Sequence, residues 1–152
     1  MTRDGLRVAF DVTPVISGST GIARYVTQLD IALLERDVKL QRFAVGRAAF
    51  PAPPATRHLR LPARLVERWW RIVPWPYVEQ LTGGVDVVHG TGMLMPSTRR
   101  PLIVTVHDVA ALRHPELHPP RHVQQQRALL AAMRKAAVIV TVSAATADDL
   151  IH

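Results

Sequence analysis

Short apolar runs alternate with longer amphipathic segments along most of the chain. Most residues within these short runs are apolar, although Val38–Val45 alternates loosely with polar residues, and the runs are too short to be helices. They predict five strands: Leu6–Asp11, Val38–Val45, Val85–His89, Leu102–His107 and Ala137–Val142. Continuous apolar character, rather than strict alternation, is typical of parallel strands that are covered on both faces of the sheet.

Helices are predicted between most of these strands. The segments share an amphipathic period or a helix-start signal: Ile22–Arg36, Ala63–Val73, Pro120–Ala136 and Ala144–His152, with one further turn at Tyr77–Leu81. Turn formers and prolines predict loops at Thr13–Gly21 and Arg47–Pro62. Strands that alternate with helices indicate an α/β fold, here a Rossmann-like doubly wound parallel sheet.

Composition narrows the classes of function. Hydrophobic residues make up 48% of the 152 residues, yet no apolar stretch approaches the ~18 residues of a membrane span. Cysteine is absent, which excludes disulfides and thiolate metal sites, and we expect a cytoplasmic protein. The net charge of +7 permits anionic partners. The sequence shows neither a DNA-binding motif nor an aromatic platform for stacking bases, so we do not expect nucleic acid as a partner.

The clearest candidate chemistry follows the fourth predicted strand. Its apolar run stops at His107 and Asp108, where packing requires neither an imidazole nor a carboxylate. Ligands bind at the carboxyl ends of strands in open α/β sheets, so this position predicts an active-site edge. His89 ends a neighbouring strand in the same way. The alternative for His107 and Asp108 is that they only cap the next helix.

A second candidate is the loop after the first strand. Gly18 and Gly21 precede a helix, an arrangement that can hold a phosphate on the amides of the helix start. The sequence Gly-Ser-Thr-Gly-Ile-Ala-Arg-Tyr matches neither the dinucleotide fingerprint nor a Walker loop. A phosphate contact and a simple turn therefore both stay open.

Two other patterns are weaker. His114, His118 and His122 have the four-residue spacing of helical zinc ligands, but prolines between them interrupt any common helix, so we expect no metal site. Ser143 lacks the glycines of a nucleophile elbow and is better explained as a helix N-cap.

The helix predicted at Ala63–Val73 carries two adjacent stripes. The basic stripe consists of Arg60, Arg64, Arg68 and Arg71. The apolar stripe consists of Leu61, Leu65, Trp69 and Ile72, with Trp70 beside it. A basic helix that bears tryptophan can lie on an anionic membrane surface. In the other interpretation, the apolar stripe packs on the sheet and the arginines form an ordinary solvated face.

In their order along the chain, several segments resemble the amino-terminal domain of a GT-B type family 4 glycosyltransferase, closest to mannosyl- or rhamnosyltransferases. The segments are Val8–Asp11, Thr20–Tyr25, Asp86–His89, Val104–Asp108 with Pro115 beyond, and Val142-Ser143 with Asp149-Leu150. Ala23 stands where such transferases usually have the middle glycine of Gly-Ile-Gly-Arg-Tyr.

The resemblance implies the acceptor-side half of an enzyme, as a single domain over residues 1–152. In this family a second domain binds the sugar nucleotide through two glutamates spaced by seven residues, and this chain has no such pair. We expect the chain to stop before that domain and to be inactive alone. The implied reaction moves a hexosyl group, with retention and without a metal, onto a glycan or lipid-linked acceptor.

The resemblance also assigns site residues. His107 matches a histidine that reaches the donor sugar, and Asp108 would orient the loop or the imidazole. Gly21 and the Ile22 amide match the loop near the donor diphosphate, which Arg24 could also contact. His89 matches a second histidine at a strand end. The alternative function is a stand-alone, non-catalytic module that binds a phosphorylated or glycan ligand.

Overall fold

The computed structural model describes residues 5–18 and 20–151, and the strands among them form one parallel sheet. Their bounds are β1 Arg7–Asp11, β2 Lys39–Val45, β3 Arg57–Leu59, β4 Val87–Gly90, β5 Leu102–Val106 and β6 Val138–Thr141. The order across the sheet is β3-β2-β1-β4-β5-β6, and every neighbouring pair is parallel. The predicted Rossmann-like doubly wound α/β fold is confirmed.

Helices cover the sheet between the strands. Their bounds are α1 Thr13–Ser17, α2 Thr20–Leu34, α3 Ala63–Ile72, α4 Val78–Thr82, α5 Ala110–Arg113, α6 Pro120–Met133 and α7 Ala144–Ile151, with a 3-10 turn at Pro115–Leu117. Predicted helix ends differ by a few residues, and His152 lies outside the described part of the chain. Among the described residues, no helix combines the length and apolar character needed to cross a membrane.

The order of the strands reverses at β1. The chain moves outward from β1 through β2 to β3 and then returns to place β4 on the other side of β1. Phe10 of β1 is therefore in register with Arg42 on one side and His89 on the other. In open α/β sheets, the crevice at such a reversal, beyond the carboxyl ends of the strands, is where ligands bind.

Two apolar clusters lie on the sheet. Phe10, Ile16 and Val26 belong to the cluster beneath α1 and α2. Trp70 of α3 and Leu129 of α6 belong to the larger cluster, which includes residues of all four central strands. The continuous apolar runs are explained by this arrangement, because successive strand residues point to opposite faces and both faces are covered.

The predicted loops were partly wrong. Within the stretch 47–62, Arg57–Leu59 forms a sixth strand through pairing of its backbone with β2, which its own side chains do not signal. Within the stretch 13–21, residues Thr13–Ser17 form α1, which ends at Gly18 with a φ of 81°. As a result, Gly21 lies in the first turn of α2 rather than in a loop.

The interpretation that the apolar stripe of α3 packs on the sheet is also wrong. Val66 and Trp70 make the core contacts of the helix. Leu65, Trp69 and Ile72 are exposed by 61%, 51% and 70%. The sequence period located an apolar face correctly, but Val66 and Trp70 form a second apolar face, and it is this second face that packs on the sheet.

Candidate active site

The carboxyl ends of three adjacent strands are tied together through Thr91. This buried residue follows β4, and its hydroxyl donates a hydrogen bond to the Asp11 carbonyl at the end of β1, 2.7 Å away. Its own carbonyl accepts a 2.7 Å hydrogen bond from His107 Nε2, just beyond β5. Asp11, Thr91 and His107 therefore meet at the crevice where the order of the strands reverses.

The hydrogen-bond partner of His107 defines the tautomer of its neutral ring. A carbonyl only accepts hydrogen bonds, so Nε2 must carry the hydrogen, and in the neutral ring Nδ1 is the acceptor nitrogen. The Tyr25 ring of α2 packs edge-on against the imidazole, with centroids 5.2 Å apart and an interplanar angle of 88°. These two contacts hold the half-buried ring in one orientation.

His89 lies under this surface rather than on it. Its side chain is buried, its Nε2 lies 2.8 Å from Thr105 Oγ1, and its ring contacts Phe10 edge-on. The Tyr25 hydroxyl lies 3.5 Å from the same Thr105 oxygen, so the two rings share one hydroxyl partner. Burial lowers the pKa of His89 to about 4, and the ring is neutral at physiological pH.

Asp108 organises the loop after β5. Its Oδ1 accepts hydrogen bonds from the Ala110 amide at 3.0 Å and from Gln126 Nε2 at 2.9 Å. These contacts fix the start of α5 and join it to α6, so the carboxylate orients the loop rather than the His107 ring. A cavity of about 480 Å³ opens beside Asp108, between α5 and α7.

The loop is also connected to α7. The Thr146 hydroxyl donates a hydrogen bond to the His107 carbonyl at 3.2 Å. Ser143 Oγ accepts the Thr146 amide at 3.1 Å, which is the geometry of a helix N-cap. The predicted cap at Ser143 is therefore confirmed.

Gly21, Ile22 and Arg24 lie in the first turns of α2. A Cβ added to Gly21 would meet no atom of the described chain within 4 Å, so internal packing does not require a glycine there. Arg24 is exposed on the same helix start. Tyr25, one turn beyond Gly21, touches His107, which places the start of α2 and the histidine at the same edge of the sheet.

Asp11 lies at the same edge and is not among the site residues predicted from the sequence. Its carboxyl is fully buried, its Oδ1 accepts the Thr13 amide at 2.8 Å, and its Oδ2 has no hydrogen-bond partner among the described residues. Burial raises the pKa of Asp11 to about 6, although hydrogen bonds from Thr13 oppose that change. The signal in the sequence is a carboxylate that directly follows the apolar run Val8–Phe10 at the end of β1.

The three histidines that have the spacing of zinc ligands lie in different parts of the fold. In the described ranges, His, Asp and Glu side chains form no group of three that could hold a metal ion. His114 follows α5, His118 follows the 3-10 turn, and His122 lies in α6, so the three histidines do not share one helix.

The fold and this edge together define a Rossmann-like domain with a candidate ligand site at the reversal of strand order. The family model of glycosyltransferase family 4 matches residues 19–152. The chain therefore belongs to glycosyltransferase family 4. A search of curated proteins gave no significant match.

Proposed function

We propose that this chain is the acceptor-side domain of a GT-B type enzyme of the mannosyl- or rhamnosyltransferase kind. The reaction moves a hexosyl group from a sugar nucleotide to a hydroxyl of a glycan or lipid-linked acceptor, with retention. The observation that carries the proposal is the meeting of His107 with the start of α2 at the strand-order reversal, in a chain of family 4.

The start of α2 is assigned to the departing diphosphate. The first amides of a helix have no partner within it, and the helix dipole places positive potential there. Gly21 leaves open space beside the Ile22 amide, so an anion can approach the backbone closely, and the exposed Arg24 adds a full positive charge. Stabilising charge on the leaving group lowers the barrier to transfer, and this assignment calls for no metal.

His107 is assigned to the transferred sugar. Its Nε2 is held by the Thr91 carbonyl, which leaves Nδ1 as the nitrogen that would accept a hydrogen bond from a sugar hydroxyl. The Tyr25 ring fixes the plane of the imidazole, and Asp108 fixes the loop that carries it. Such positioning contributes to catalysis by holding reacting groups in a productive geometry.

His89 has a supporting role in this scheme. As a neutral, buried ring it holds Thr105, which in turn lies beside the Tyr25 hydroxyl. We therefore assign it to positioning of the Tyr25 and His107 pair, beneath the surface that the substrate would touch.

The test is glycosyl transfer by the complete enzyme, followed as release of nucleoside diphosphate from a panel of sugar nucleotides. We expect His107→Ala to lower turnover at least tenfold, or ~1.4 kcal/mol of transition-state stabilisation. His122→Ala is the matched control, because His122 is exposed in α6 and shares none of the described contacts of His107. Near wild-type turnover by the His107 variant would contradict the assignment.

A second measurement separates the enzyme from a binding module. The 152-residue chain alone is expected to release no nucleoside diphosphate above a His107→Ala control. Turnover by this chain would contradict the proposal that it supplies only the acceptor-side half of the active site. Ligand binding without turnover by the complete protein would favour the non-catalytic module.

A further inference from the structure

Helix α3 exposes an apolar surface next to a basic one. The exposed apolar residues on the helix and its two flanks include Leu61, Leu65, Trp69, Ile72 and Trp75, exposed by 54%, 61%, 51%, 70% and 57%. We call this set the α3 patch. Folding normally buries such side chains, and contiguous exposed apolar surface marks an interaction site.

The patch is held in shape by its own hydrogen bonds. The Trp69 indole donates to the Trp75 carbonyl, and the Trp70 indole donates to the Pro76 carbonyl at 2.9 Å. These bonds fold the segment after α3 back against the helix. An apolar cavity of about 300 Å³ lies between the helix and this segment, and Leu61, Leu65 and the three tryptophans line it. The surface is therefore organised without any partner.

The basic stripe runs along the same helix. Arg60, Arg64, Arg68 and Arg71 are all exposed, and in the described chain none of them forms an ion pair with a carboxylate. Glu67 is the one acidic residue of α3. Charge of a single sign beside exposed tryptophan, leucine and isoleucine fits a partner that is apolar inside and anionic at its surface.

We propose that the α3 patch docks the protein on an anionic membrane surface. Apolar side chains would enter the boundary between headgroups and acyl chains, and the arginines would contact lipid phosphates. A second copy of the chain fits less well, because a symmetric pairing would bring the two arginine stripes together. Charge complementarity between the arginine stripe and lipid phosphates therefore favours a membrane over a second copy of the chain.

The position of α3 links this surface to the candidate site. The helix begins just after β3, and a Cβ built on Gly46, which follows β2, would lie 3.4 Å from Ala63 Cβ. The start of α3 is thus at the carboxyl edge of the sheet, as is His107. If the proposed function holds, docking would bring this edge close to acceptors that are embedded in the membrane.

Co-sedimentation with vesicles tests the proposal directly and needs no enzymatic activity. The full chain is expected to bind vesicles containing phosphatidylglycerol at least tenfold more tightly than vesicles of phosphatidylcholine alone, and less tightly as salt increases. The triple variant Arg64→Gln, Arg68→Gln, Arg71→Gln should lose this preference. The matched control is Arg121→Gln, Arg127→Gln, Arg134→Gln, which removes equal charge from exposed positions at α6.

Tryptophan fluorescence tests the apolar half of the surface. The wild type should show a blue shift with the anionic vesicles, and Trp69→Phe with Trp75→Phe should abolish it, because the remaining Trp70 is buried. Circular dichroism on each variant shows that the fold is retained. No binding at low salt, equal loss in both arginine triples, or a stable dimer that protects Trp69 would each overturn the proposal.

Discussion

Two buried groups at the site edge should have opposite effects on stability in the same pH range. Burial raises the pKa of Asp11 from 3.8 to about 6 and lowers that of His89 from 6.5 to about 4. Each pH unit between the folded and unfolded values is ~1.4 kcal/mol, so each residue changes the unfolding free energy by about 3 kcal/mol.

The signs follow from which state binds more protons. Between pH 3.8 and 6 the folded protein holds a proton on Asp11 that the unfolded chain has lost, so this residue lowers stability as pH rises. Between pH 4 and 6.5 the unfolded chain binds a proton on His89 that the folded protein excludes, so this residue raises stability as pH rises. We expect the two contributions nearly to cancel in the wild type.

Asp11→Asn should reveal the hidden titration. The amide keeps an oxygen that can accept the Thr13 amide, but it removes the charge that burial penalises. Measured by urea unfolding at a series of pH values, the variant should gain about 3 kcal/mol relative to wild type between pH 3.5 and pH 7.5. Its own stability should rise with pH over the range in which His89 titrates.

The control is Asp148→Asn, the same chemical change at an exposed position of α7. Its stability relative to wild type should stay within about 0.5 kcal/mol across the series. A constant difference between Asp11→Asn and wild type at every pH would refute the reasoning, because it would mean that Asp11 has the same pKa in both states.

The remaining predictions concern Gly18 at the end of α1, Gly21 in the first turn of α2 and the cap of α7. Gly18→Ala should lower the free energy of unfolding by at least about 1 kcal/mol, because Gly18 has a φ of 81° and its new Cβ would lie 2.3 Å from the Phe50 ring. Gly21→Ala should leave the melting temperature nearly unchanged while lowering turnover of the complete enzyme; a lower melting temperature would point to a packing role instead. Ser143→Ala should cost about 1 kcal/mol in urea unfolding through loss of the N-cap, and no change would count against that cap.

The sequence by itself determined the fold class and the edge that bears the site. Five of the six strands were recognisable because strands covered on both faces are largely apolar, and His107 was recognisable because it interrupts such a run at the point where a strand ends. The family 4 assignment is likewise a property of the ordered segments, since the family model matches residues 19–152.

Tertiary structure alone decided what each residue faces. β3 forms because its backbone pairs with that of β2, and a strand of three residues is too short to give a recognisable hydrophobic pattern. Asp11 acquired its buried carboxyl, and His89 its neutral ring, from strands and helices distant in sequence. Helix α3 has two apolar faces, and only the packing of Val66 and Trp70 leaves Leu65 and Trp69 at the surface. A sequence period reports that a face is apolar, but which apolar face is buried depends on the neighbours that the fold supplies.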